Sequence, residues 1–169
     1  MARIFSVIIS LVSGMSFFQA NKIFNTPTYS ISFPEKWTLD TSKQKAPAIF
    51  FFSPLDDNKD NFSENVNIME QDLSGQNIGL NEYKKITEDQ LSSLGANGKL
   101  ISSTIEKISK GDRYFVEYSM TVNENHLHVK SLCYIKKGLA YLITFTTRTE
   151  TFEKYNKVGT EMLESFKFK

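Results

Sequence analysis

GLAYLITFTTRTETFEKYNKVGTEMLESFKF, Gly138 to Phe168, decides the fold. Its first part, Leu139 to Thr147, is apolar on both faces at its centre, the mark of a strand covered from two sides. Its second part, Glu150 to Ser165, sets Phe152, Tyr155, Val158, Met162 and Leu163 along one helical stripe. Phe166 stands just beyond, so the helix stops at Ser165-Phe166. YSISFPEKWTL, Tyr29 to Leu39, completes the picture at the other end of the chain. There Tyr29, Ile31 and Phe33 alternate with Ser30 and Ser32, a strand period that Pro34 closes.

Working outward, Trp37 to Leu39 starts a second strand and Ala48 to Ser53, AIFFFS, has the look of a buried one, ended by Pro54. On that strand Phe50 and Phe52 face one way and Phe51 the other. Asn65 to Glu70 alternates again. Leu80, Tyr83, Leu91 and Leu94 form one helical stripe with Ile86 beside it, with Asn81 as the expected cap and Gly95 at the C-terminal end. Lys99 to Ser109 returns to strand pattern. Arg113 to Val122 and Asn125 to Ile135 read as two long strands joined at Asn123-Glu124. A two-residue turn there pairs Glu117 with Lys130, Phe115 with Leu132 and Met120 with Leu127. Lys136-Lys137-Gly138 is the next hairpin turn. The expected fold is therefore α+β, one antiparallel sheet with helices packed on it.

These segments resemble the PsbP family. YSISFPEKW resembles its opening strand, closed by Pro and followed by Trp. Gly138, Tyr141 and Thr144 resemble its G-x-x-Y-x-L-T strand, and Phe152, Tyr155 and Ser165-Phe166 its closing helix. The resemblance covers residues 28–168. It implies an α/β/α sandwich with a central antiparallel β-sheet flanked by helices. That fold serves oxygen-evolving-complex subunits, periplasmic proteins such as DcrB and a nuclear import factor, so it implies no single function. No photosystem binding and no metal site is carried over from it.

Met1 to Ala20 has one basic residue, Arg3, and a short apolar run from Ile4 to Val12. This is the layout of a signal peptide, too short to span a bilayer. Ala20 suits the last position before a cut and Phe18 does not, so a cut near Gly14 or Ser16 is the alternative. The expected organisation is a leader at 1–20 and one domain at 21–169. Without Arg3 the chain carries 19 Lys+Arg against 19 Asp+Glu, which argues against a nucleic-acid binder. Cys133 is the single cysteine, so a disulfide framework within the chain is excluded.

His126 and His128 are the only histidines. At i and i+2 on a strand they point the same way, opposite Thr121 and Ser119, and with the carboxylate of Glu124 in the adjacent turn they are the candidate ligands for zinc or copper. The plainer reading is a solvated hairpin tip. Asp56, Asp57, Asp60 and Glu64 surround the loop after Pro54, where calcium is the sharp reading and a solvated loop the plain one. Cys133 reads as a small buried apolar residue. Asn61-Phe62-Ser63 fits the glycosylation pattern of a secreted eukaryotic chain. No nucleophile elbow, zincin motif or phosphate-cradling loop occurs.

The expectation is an exported, monomeric, non-enzymatic binding or assembly-assisting module, periplasmic or secreted. It requires no cofactor, keeps no membrane span once the leader is cut, and takes a protein partner on a sheet face or in a groove beside helix Leu80–Leu94. A small-ligand or metal carrier using His126 and His128 is the second expectation. An enzyme without a recognisable motif is the third.

Overall fold

Asn123 and Glu124 both sit at positive φ, 46° and 69°. That is the backbone of a two-residue hairpin turn whose twist matches the strands it joins. In the computed structural model, which describes residues 21–42, 48–109 and 111–169, this turn fixes the register of the hairpin it closes. Glu117 lies opposite Lys130, Phe115 opposite Leu132 and Met120 opposite Leu127, as the residue matches predict. Lys137 and Gly138 repeat the device with φ of 52° and 76°. The expected leader lies outside the described residues.

In chain order the elements are β1 (Asn21–Asn25), β2 (Tyr29–Pro34), β3 (Thr38–Asp40), β4 (Ala48–Phe52), β5 (Asn65–Asp72) and α1 (Leu80–Ser93). A 3-10 turn, Gly95–Asn97, leads to β6 (Gly98–Glu106), β7 (Arg113–Val122), β8 (Asn125–Lys136) and β9 (Leu139–Arg148). Helix α2 (Phe152–Ser165) and β10 (Lys167–Phe168) close the chain. Seven strands form one antiparallel sheet in the order β3-β4-β5-β9-β8-β7-β6. The other three, β1-β2-β10, form a small separate sheet.

Strand alternation sorts the large sheet into two faces. On one, Val66, Ile68, Leu132, Ile143 and Phe145 pack against Tyr155, Met162 and Leu163 of α2 and against Tyr29, Ile31 and Phe33 of the small sheet. On the other, Tyr114, Val116, Cys133 and Ala140 pack under Leu91 of α1. The expected three-layer arrangement is thus present, with a helix on each side of the sheet. Gly159 brings α2 down onto β9: a side chain there would meet the Phe145 ring at 2.5 Å.

Three details differ from the sequence reading. The strand at Tyr29–Pro34 belongs to the small sheet, where β1 and β10 flank it. Neither flank shows strand alternation long enough to read: Ile23 on β1 is 65 % exposed and β10 has two residues. Asn81 does not cap α1. Gly79 takes that place, and its N–H donates to the Glu82 carboxylate at 3.1 Å, which uses the acidic residue of the first turn as the cap's partner. Gly95 does end α1 region as expected, at φ 56°.

The Ser165-Phe166 ending also has a structural reason. The Ser165 hydroxyl accepts from the Ser32 N–H at 2.9 Å and lies 3.2 Å from the Ser32 carbonyl. It thereby ties the end of α2 to β2. Phe166 then leaves the helix in an extended conformation, φ −61° and ψ 131°, and drops its ring into the core.

Candidate functional site

Helix α1 packs over β6, β7 and β8. At β5 its reach ends with Tyr83, whose hydroxyl lies 3.5 Å from the Gln71 side chain. The same face of the sheet continues past it across β9, β5 and β4. The register places Phe50, Asn67, Thr144 and Ser131 in one row across the strands, and Phe52, Asn65, Thr146 and Val129 in the next. Phe50 and Phe52 stack with ring centroids 5.3 Å apart and planes 4° apart. Phe51 points the other way and is fully buried, as strand parity predicts.

This face is half-buried aromatic at one end and neutral polar in the middle, and it is buried at Ser131 and Val129. Ser131 donates to the Thr144 hydroxyl at 2.9 Å, and none of these eight residues is ionisable. At the edge, Asp40 of β3 stands opposite Phe50 and continues its row. Such a face offers shape and uncharged hydrogen-bonding groups more than charge. The sequence showed the Phe50/Phe52 end of it. It did not show Asn65, Asn67, Thr144 and Thr146, because their alignment depends on the pairing of β5 with β9, which are far apart in the chain.

The two histidines sit on the opposite face, at the tip of the β7–β8 hairpin. They face Thr121 and Ser119, as expected, but they have different surroundings. His126 is exposed, and its Nδ1 lies 3.0 Å from the Thr121 hydroxyl. His128 is tucked under the start of α2. Its Nε2 bonds Glu117 at 2.7 Å, and its ring stacks on Phe152 at 3.6 Å and 17°. Lys130 adds its ammonium over the same phenyl ring at 5.2 Å and donates to Asn156. His128 is therefore part of the contact that seats α2. Among the described residues, no three of His, Cys, Asp and Glu converge as a metal ligand set.

The acids after Pro54 likewise turn to other tasks. Asp56 accepts from the Tyr155 hydroxyl at 2.6 Å and pairs with Lys154. Lys154, then Tyr155, holds its carboxyl below the usual range. Asp57 and Asp60 accept backbone N–H groups of their own loop. Glu64 is 2 % exposed. It accepts from Ser53 at 3.1 Å and Thr151 at 2.6 Å, beneath the first turn of α2, where a carboxylate is favourably placed. Nothing in its sequence neighbourhood distinguishes it from its exposed neighbours. Cys133 is fully buried, and burial pushes its thiol up to about 12. It stays protonated at neutral pH and is an inert packing residue.

Three layers built on a seven-stranded antiparallel sheet define the class: an α/β/α sandwich. The sequence profile of the PsbP family matches residues 22–168, and the chain belongs to that family. Its fold is similar to that of cyanobacterial PsbP from Synechocystis sp. PCC 6803. The TM-score is 0.65 at 13 % identity, covering 92 % of this chain and 96 % of that one. It is similar also to LpqN, involved in cell envelope biogenesis of Mycobacterium tuberculosis. There the TM-score is 0.66 at 12 % identity, covering 88 % of this chain and 90 % of that one. A putative regulator of unknown function from Pseudomonas aeruginosa follows, with TM-score 0.58 at 14 % identity over 85 % and 95 % of the two chains. By sequence, no curated protein matches the chain. At these identities the likeness is one of fold. No helix among the described residues is long and apolar enough to cross a membrane.

Proposed function

We propose that the chain is an exported, non-enzymatic accessory module, a single PsbP-type domain at 21–169 behind a signal peptide at 1–20, which docks a protein partner in the periplasm or outside the cell. The observation that carries this reading is the sheet face beside α1, with its stacked Phe50 and Phe52 and its uncharged polar rows. Aromatic rings with neutral hydrogen-bonding neighbours are the usual centre of a protein interface. The fold likeness to an envelope-biogenesis protein and to cyanobacterial PsbP supports an accessory role in an exported compartment.

The Phe50→Thr/Phe52→Thr chain tests it. Threonine keeps the β-propensity of β4 and removes both rings. Capture of the envelope partner should fall about tenfold or more, the range of a hot-spot loss, with a far-UV spectrum like that of the unaltered chain. Capture at full strength by the doubly substituted chain would place the docking surface elsewhere.

A second reading makes the hairpin tip a carrier site for a small ligand or a transition metal, with His126 and His128. The cavity that opens beside His126 favours it. Stoichiometric Zn²⁺ or Cu²⁺ binding that is lost in the His126→Ala/His128→Ala chain is the result expected if the cargo is a metal. Binding untouched by both changes would remove the histidines from the site.

A further inference from the structure

The cavity at the hairpin tip has a composition of its own. It is a half-open cleft of about 270 Å³ lined by Gly98, Lys99, Ser119, Thr121, His126 and Thr149, among others, with no Asp or Glu in its wall. Lys99 lies opposite Ser119 across β6 and β7, and Thr121 opposite His126 across β7 and β8. These four residues therefore share the sheet face that carries α2. The chain between β9 and α2 closes the side: the Thr149 N–H donates to the His126 carbonyl at 2.8 Å.

Two of the nearby acids are engaged, and Glu124 of the adjacent turn is exposed and stands outside the cavity wall. Glu117 bonds His128 at 2.7 Å, and Glu150 faces Arg148 at 3.8 Å. Lys99 forms no ion pair among the described residues. A metal cation prefers carboxylate, thiolate or several imidazoles and is repelled by an ammonium. An anion with several oxygens prefers what is here: an ammonium, an imidazole and the hydroxyls of Ser119 and Thr149. The volume is several times the roughly 30 Å³ share of one water molecule, enough for a phosphoryl group with some of its water.

We propose that this cavity binds a small oxyanion of the phosphate type, with Lys99 and His126 as its charged and ring donors. The Thr121 hydroxyl stands 3.0 Å from Nδ1 of His126; in the tautomer whose proton is on Nε2, the hydroxyl donates to Nδ1 and Nε2 donates to the ligand. Ser119 and Thr149 supply further hydroxyls. The proposal rests on the small-ligand reading of the hairpin tip and is independent of the sheet face beside α1.

Amide-resolved NMR of the chain beginning at Asn21, which carries every residue of both cores, tests it with inorganic phosphate at constant ionic strength. Saturable shifts are expected at Gly98, Lys99, Thr121, His126 and Thr149. Lys99→Met should weaken phosphate binding about tenfold or more, the worth of one charge-assisted hydrogen bond, while Lys99→Arg retains it. Phosphatidylcholine vesicles carrying phosphatidate distinguish the source. Binding to them that Lys99→Met abolishes assigns the phosphoryl group to a lipid head, and phosphate shifts without vesicle binding assign it to a soluble molecule. Shifts that do not saturate, or that Lys99→Met leaves unchanged, overturn the proposal. Zn²⁺ shifting His126 where phosphate shifts nothing overturns the anion class and leaves the small-ligand reading standing. No response to either overturns both.

Discussion

Gly159→Ala should destabilise the chain by about 1–3 kcal/mol, even though alanine is the better helix former by about 1 kcal/mol. The two effects have opposite signs, and the geometry decides between them. A Cβ at residue 159 would stand 2.5 Å from two carbons of the Phe145 ring and 2.6 Å from a third. Phe145 is fully buried and sits in mid-sheet between Val66 and Lys130, so the ring has nowhere to go. Helix α2 must rise from the sheet instead, and it loses packing along its length. For a chain of this size the cost corresponds to a fall in Tm of about 2–12 °C. Phe145→Leu supplies the control, since a smaller side chain opens the contact. In that background Gly159→Ala should cost less, with a coupling energy of about 0.5–3 kcal/mol. A rise in Tm for Gly159→Ala in the unaltered chain would show that α2 does not approach β9 this closely.

The same position illustrates what the sequence can carry. A glycine in mid-helix reads as a local weakness, because its reason lies on another element. Where the signal is local or repeated, the reading is good. The β7–β8 register follows from three side-chain matches and a two-residue turn, β9 from an apolar run too short for a helix, and α2 from plain periodicity. Strand parity alone separates Phe51 from Phe50 and Phe52. Signals fail when they depend on distant pairing or short length. β1 and β10 are held by β2 rather than by their own pattern. Glu64 looks like its solvated neighbours until Ser53 and Thr151 close around it. Lys99 joins the histidine tip only because β6 returns beside β7, and the irregularity between Leu100 and Ser102 breaks the simple alternation that would have placed it. The candidate surfaces were thus half legible: aromatic and histidine residues mark them, and the strand order supplies their neighbours.

The largest loss is expected at Phe166. Phe166→Ala should cost about 3–5 kcal/mol, a substantial part of the 5–15 kcal/mol that typically holds a domain of this kind. Its ring is 4 % exposed and meets Tyr29 at 5.1 Å, Phe168 at 5.2 Å, Tyr134 at 5.6 Å and Tyr141 at 6.5 Å. Aromatic pairs in such arrangements add to the burial of the ring itself. Phe168 has aromatic neighbours too, but it is only partly buried, and Phe168→Ala should cost less. Urea titration checks the order, with a lower midpoint and an unchanged slope for Phe166→Ala. A loss below about 1 kcal/mol, the scale of an ordinary surface change or a single hydrogen bond, would deny Phe166 its place in the core. The position of the ring makes a second, more specific demand. Tyr29 belongs to the small sheet, whereas Tyr134 and Tyr141 belong to the large one, so Phe166 joins the two. Its removal should lower hydrogen-exchange protection in β2 and α2 together, while β7, held on the other face by α1, keeps more of its protection. Undiminished protection in β2 would mean that the small sheet is fastened by the Ser32–Ser165 hydrogen bonds and its own core contacts, and that the closing Phe is a passenger in that layer.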